Sequence, residues 1–415
     1  MGSYRLRCLE GGEYVDDDYT LRCGRHNGLL RAEYDAVTLV PKDTDGVFKF
    51  YDWLPVRSVI DTDSAPVAFR NRELGRELGL KDLWIAFTGY YPERGAFVRS
   101  CSFKEMEALP TLARIRDAGK GAVVVASAGN TGRAFAQVSN AVGMSSLIVV
   151  PKRSADRIWV PEDNGYARLM TVNGDYADSI AVADRISSSQ SFIPEGGARN
   201  IARRDGMGTV VLESVLSSGK IPEYYFQAVG SGTGAISAWE ASLRLIRDGR
   251  FGTRLPELHL SQNHPFTPMK NAWDEGRRNI NEKDMENAER KISEVYADVL
   301  TNRSPPYSPA GGLFDAMTAC GGTIRGVTNR EAKDAERFWL GYESAVPDPA
   351  ASVALASLMK AVEAGEIDTN KAVLLNMTGG GRNLVSEDVG MYSIERFAEV
   401  DPNISDVELR RIVNG

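Results

Sequence analysis

The apolar positions of this chain change period again and again, and each change marks a boundary between strand and helix. Short unbroken apolar runs at 123–126, 147–150 and 169–172 predict buried strands, and runs near 224–229, 257–261 and 372–375 predict more of them. Between these runs the apolar residues fall at helical spacing. Phe135, Val138 and Val142 share one face, and Ile236, Trp239, Leu243 and Ile246 share another. Strands alternating with helices in this way predict open, mostly parallel α/β sheets flanked by helices.

The alternation divides into two domains. Residues 56–110 and 211–415 are expected to build a large domain, and residues 111–210 a small mobile one. Residues 1–55 form a strand-rich extension, with similar short strands at Tyr4-Arg5-Leu6-Arg7-Cys8 and Tyr19-Thr20-Leu21-Arg22-Cys23. A zinc ribbon would add a second ligand shortly after each cysteine. Those positions hold Gly11 and His26. Cys8, Cys23 and His26 fall one short of the four ligands that tetrahedral zinc requires, so the extension reads as ribbon-shaped but metal-free.

Composition narrows the class of function. The 415 residues are 43% hydrophobic and 25% charged, as in globular proteins large enough for two cores. A net charge of −7 argues against nucleic acid and acidic membranes as partners. No apolar run approaches the roughly 20 residues of a membrane span. The segment 1–13 is too polar for a secretory signal, and four cysteines without framework spacing fit a reducing compartment, so a cytoplasmic location is expected.

Candidate chemistry lies where strands end and helices begin. Lys104 stands in the polar-aromatic turn Ser102-Phe103-Lys104-Glu105. The strand at 123–126 runs into Ser127-Ala128-Gly129-Asn130-Thr131-Gly132, which opens a helix. Gly230-Ser231-Gly232-Thr233-Gly234 follows the strand near 224–229, where glycines let backbone N–H groups approach a phosphate and the two hydroxyls add donors. Thr378 follows the strand at 372–375, at the end of a sheet where such folds bind ligands. A lysine amine can form a Schiff base with an aldehyde while a helix start holds an anion. Pyridoxal phosphate carries both groups.

With these four elements in this order, the chain resembles the tryptophan-synthase-like (fold type II) family of pyridoxal phosphate enzymes. Within that family it is similar to threonine synthases, and more closely to archaeal cysteate synthases. The resemblance implies a two-domain fold over about residues 60–395. It makes Lys104 the Schiff-base lysine and Asn130 the partner of the pyridine 3-oxygen. Residues Gly230 to Gly234 would cup the cofactor phosphate, and Thr378 would meet the ring nitrogen. It further implies a β-replacement through an aminoacrylate that converts O-phospho-L-serine and sulfite to L-cysteate, on the route to coenzyme M, in a homo-oligomer. Ser127 and Thr131 would hold the substrate carboxylate. Arg133 and Lys152, with Arg99, Arg153 and Arg157 nearby, are candidates for the substrate phosphate.

The sequence departs from the threonine synthase pattern in Cys101 before Ser-Phe-Lys, in Glu105-Met106 after it, and in Thr378-Gly379-Gly380-Gly381-Arg382. Residue patterns alone reach a pyridoxal phosphate lyase or synthase acting on an anionic amino acid. They leave open a threonine synthase using O-phosphohomoserine and a catalytically silent relative. A nicotinamide oxidoreductase is disfavoured, because the loop lacks Gly-x-Gly-x-x-Gly spacing. Cys101 is expected to be a buried, inert thiol.

Overall fold

The computed structural model describes residues 3–188 and 192–414. The predicted strands form two separate sheets. Six strands run in the order Gly322–Val327, Glu257–Asn263, Tyr224–Ala228, Ala372–Met377, Asp82–Phe87 and Val67–Arg70, all parallel except the last. Five parallel strands make the second sheet: Ile193–Pro194, Ala122–Ala126, Ser145–Pro151, Ala167–Val172 and Arg396–Val400. Their Val, Ile and Leu residues are buried, as strands covered on both faces require.

Helices cover the six-stranded sheet on both sides. Pro349–Glu363 packs on its central strands, with Asn329–Leu340 beside it. Ile201–Ser218 lies on the side of Val67–Arg70 and Asp82–Phe87, packed between Lys104–Asp117 and Thr233–Asp248. Among the described residues no helix is long and apolar enough to cross a membrane.

Two boundaries differ from the sequence reading. Arg396–Val400 pairs with Ala167–Val172 in the five-stranded sheet, and the helix Asp406–Asn414 packs on Tyr176–Ser188. The tail assigned to the large domain therefore completes the other sheet. Its strand is short and half exposed, so its pattern carries no sign of which sheet it joins. Residues 201–210, assigned to the small domain, sit in the helix layer of the six-stranded sheet.

The amino-terminal extension is a three-stranded antiparallel sheet of Tyr14–Val15, Tyr4–Cys8 and Leu30–Tyr34. The second expected strand, 19–23, does not form. Tyr19 has φ +60°, and Thr20 is drawn into a turn by the Asp17 carboxylate and the Asp16 carbonyl. Buried ion pairs fasten the extension to the helix layer. Glu240 accepts from Arg31 at 3.1 Å and Arg204 at 3.0 Å, while Asp205 accepts from the Tyr34 hydroxyl at 2.5 Å.

Candidate active site

Lys104 opens its helix at a point fixed by backbone contacts with a distant segment. Ser102 bridges Gly379, and the Phe103 N–H donates to the Thr378 carbonyl at 3.0 Å. This pairing sets the lysine and the threonine beside one cavity of about 140 Å³. Ser127 to Thr131 line a second wall, and Gly230 to Gly234 a third. Lys104, Asn130, Ser127, Thr131, Thr378 and the glycine loop, far apart in sequence, thus meet in one place.

Burial lowers the Lys104 pKa from the usual amine range. The Glu107 carboxylate works against that shift, and the Arg203 charge adds to it. The Lys104 Nζ donates to Glu107 Oε2 at 3.4 Å, and Arg203 Nε lies 2.8 Å from the same oxygen. Arg203 in turn donates to Glu195 at 2.7 Å. Burial thus makes the amine less basic than in water, and the Glu107 contact fixes its position.

Asn130 is held from both ends. Its Nδ2 donates to Asp348 at 3.3 Å, and its Oδ1 accepts from Arg133 at 2.8 Å. Beneath it, the Ser127 hydroxyl accepts the N–H groups of Gly129 and Gly132 at 3.0 and 2.8 Å. Across the cavity the helix Thr233–Asp248 starts at Gly232, whose φ of +78° suits glycine, and the Ser231 hydroxyl accepts the Thr233 N–H at 3.3 Å. A helix start presents N–H donors and the positive end of the helix dipole to an anion. Ser231 and Thr233 share a 2.8 Å hydrogen bond at the same point. Together these groups fit a cofactor that has an aldehyde at one end and a phosphate at the other.

Two of the predicted substrate residues lie outside the cavity lining. Arg133 is buried over the Trp159 ring and donates to the Ser100 carbonyl at 2.8 Å as well as to Asn130, so it braces the asparagine. Lys152 is exposed and pairs with Glu399 at 2.8 Å, on the edge strand that the sequence reading placed in the other domain. Of the other cations, Arg99 pairs with Asp63, while Arg157 reaches the Ala128 carbonyl at 3.3 Å and Asp298 at 2.5 Å, both at the cavity. Cys101 is buried, and burial pushes its thiol up to about 12.

Sequence reasoning missed Glu107, Arg203, Tyr176 and the segment 298–302 as parts of the lining or its supports. Glu107 had a readable sign, since it follows Lys104 by three residues on a helix and so shares its face. Arg203 and the 298–302 segment had none.

The family of the pyridoxal-phosphate dependent enzymes matches residues 76–379. The chain belongs to that family. Within it, this pyridoxal-phosphate enzyme is similar to the cysteate synthase of Methanocorpusculum labreanum, at 56% identity over 97% of this chain and 98% of that one. The cysteate synthase of Methanosarcina barkeri is 48% identical over 99% and 100% of the two chains. Among solved structures, a pyridoxal 5'-phosphate-dependent aspartate racemase superposes with a TM-score of 0.59 at 17% identity, covering 78% of this chain and 92% of that one. Maize serine racemase gives 0.57 at 13% identity, covering 76% and 88%. These two share the fold. The cofactor of this enzyme is pyridoxal phosphate.

Proposed function

We propose that this chain is a cysteate synthase that replaces the phosphate of O-phospho-L-serine with sulfite, giving L-cysteate and inorganic phosphate. The reading is supported by full-length similarity to cysteate synthases and by the cavity, which sets a buried amine opposite a glycine-opened helix start. Lys104 would hold the cofactor aldehyde, Gly230 to Gly234 its phosphate, Asn130 its ring oxygen and Thr378 its ring nitrogen. When bound, the cofactor supplies an electron sink for the bond that breaks at the substrate α-carbon.

The chain's own residues do the rest. Ser127 and the helix start at Asn130, with Thr131, receive the substrate carboxylate, because a helix N-terminus favours an anion. Lys104, whose pKa burial lowers, takes the Cα proton and later returns it. Glu107 keeps the amine in reach between the two transfers. A hydroxyl at Thr378, in place of a carboxylate, leaves the ring nitrogen without a counter-charge, which suits elimination and replacement at Cβ. Arg203, which lines the cavity, is the cation best set to meet a second anionic group. The enzyme works on small anionic substrates as a homo-oligomer in the cytoplasm.

The test is product analysis. Incubation with O-phosphoserine and sulfite should release phosphate and form cysteate. Phosphate release from O-phosphohomoserine, with no cysteate from the first pair, would replace this reading with threonine synthesis.

A further inference from the structure

Two turns in the amino-terminal extension each follow a cysteine. In the first, the chain turns back after Cys8, whose carbonyl accepts the Gly12 N–H at 2.9 Å and whose N–H donates to the Glu13 carbonyl at 2.8 Å. In the second, the His26 N–H donates to the Cys23 sulfur at 3.1 Å. The third residue after the cysteine in one turn lies against that of the other, Gly11 beside the His26 ring. The two turns face each other and are tied together by Glu10, whose carboxylate accepts the N–H groups of Asn27 at 3.0 Å and Gly28 at 2.7 Å.

The third residue of the second turn is His26, with Nδ1 3.8 Å from the Cys23 sulfur. The third residue of the first turn is Gly11, which has no side chain to offer. The Glu13 carboxylate stands there instead. A Cβ built on Gly11 would lie 2.0 Å from Glu13 Oε2 and 2.5 Å from His26 Nδ1. Glu13 Oε1 is 2.9 Å from His26 Nδ1. The donor atoms of Cys8, Glu13, Cys23 and His26 all lie within 4.8 Å of one another.

We propose that Cys8, Glu13, Cys23 and His26 bind one divalent zinc ion, with Glu13 supplying the fourth ligand in the place of the Gly11 side chain. Two soft sulfurs, one imidazole and one carboxylate suit zinc, and four protein donors close the tetrahedron and leave no position for substrate. The ion's role is therefore structural. The turns it joins contact the catalytic half of the molecule. Arg199 donates to the Asn27 carbonyl at 3.1 Å, and the Leu29 N–H donates to the Ala310 carbonyl at 2.8 Å. Metal binding releases the thiol protons and involves no redox change.

Metal analysis of the full-length holoenzyme, expressed with supplemental zinc and purified under reducing conditions without a histidine tag, tests the site. About one zinc per chain is expected. Cys8→Ser, Cys23→Ser and Glu13→Ala should each lose most of it while keeping the cofactor's visible absorption. If single variants fail to fold, cobalt substitution of the wild-type protein still decides, since a tetrahedral thiolate-ligated cobalt spectrum is required. Wild-type protein with little or no zinc and no such cobalt spectrum would overturn the proposal. So would variants that hold as much zinc as the wild type, or a Cys8–Cys23 disulfide under reducing conditions.

Discussion

Glu107 lies one helical turn beyond Lys104, with its Oε2 3.4 Å from the lysine amine. This carboxylate raises the lysine's pKa against the effect of burial. Glu107→Gln removes the raising influence and leaves burial and Arg203 unopposed, so the Lys104 pKa falls further. A base is active only when deprotonated, so the acidic limb of the kcat profile, which reports the substrate-bound enzyme in which Lys104 is a free amine, should move to lower pH. A limb that stays in place or moves upward would remove Glu107 from control of the amine.

The sequence reading put Lys152 at the substrate, and the structure puts it in a surface pair with Glu399. Lys152→Ala should leave kcat/KM for O-phosphoserine within about twofold, as exposed pairs contribute about 0–1 kcal/mol. Arg203→Ala should lower it at least tenfold. Steady-state kinetics of both variants decides between the two placements.

Asn130 owes its orientation to Arg133 and Asp348. Arg133→Ala should weaken cofactor retention, since Asn130 loses the donor that fixes its amide. A lost hydrogen bond of about 1 kcal/mol corresponds to a several-fold rise in the cofactor Kd. Titration of the cofactor-free protein measures it, and an unchanged Kd would sever Arg133 from the site.

Much of the site could be read from the chain because its parts sit at strand ends and helix starts, and small residues mark those places. Lys104, Asn130, the Gly230–Gly234 loop and Thr378 each follow such a sign, and all of them line one cavity. What could not be read depends on contacts between distant segments. Arg203 looks like any helical arginine until its helix is packed against Lys104–Asp117. Arg396–Val400 carries too few buried residues to choose a sheet. The 19–23 run has the alternation of a strand, yet the Asp16 and Asp17 acceptors fold its start into a turn.

Glu240 sits buried between Arg31 and Arg204, and although burial raises its pKa, the two arginines hold it below the usual carboxylate value. Glu240→Ala strands both cations in the packed layer between extension and helices. Breaking a buried pair costs about 3–5 kcal/mol. A clear fall in the denaturant midpoint at unchanged m-value is expected, and a midpoint within error of the wild type would deny the extension this anchor.

If one amine carries the cofactor, borohydride reduction followed by peptide mass spectrometry identifies it. Reduction of the holoenzyme should fix the cofactor's mass on the peptide containing Lys104 and nowhere else, and Lys104→Ala should show no adduct. An adduct on another lysine, or none on the wild-type protein, would contradict the account.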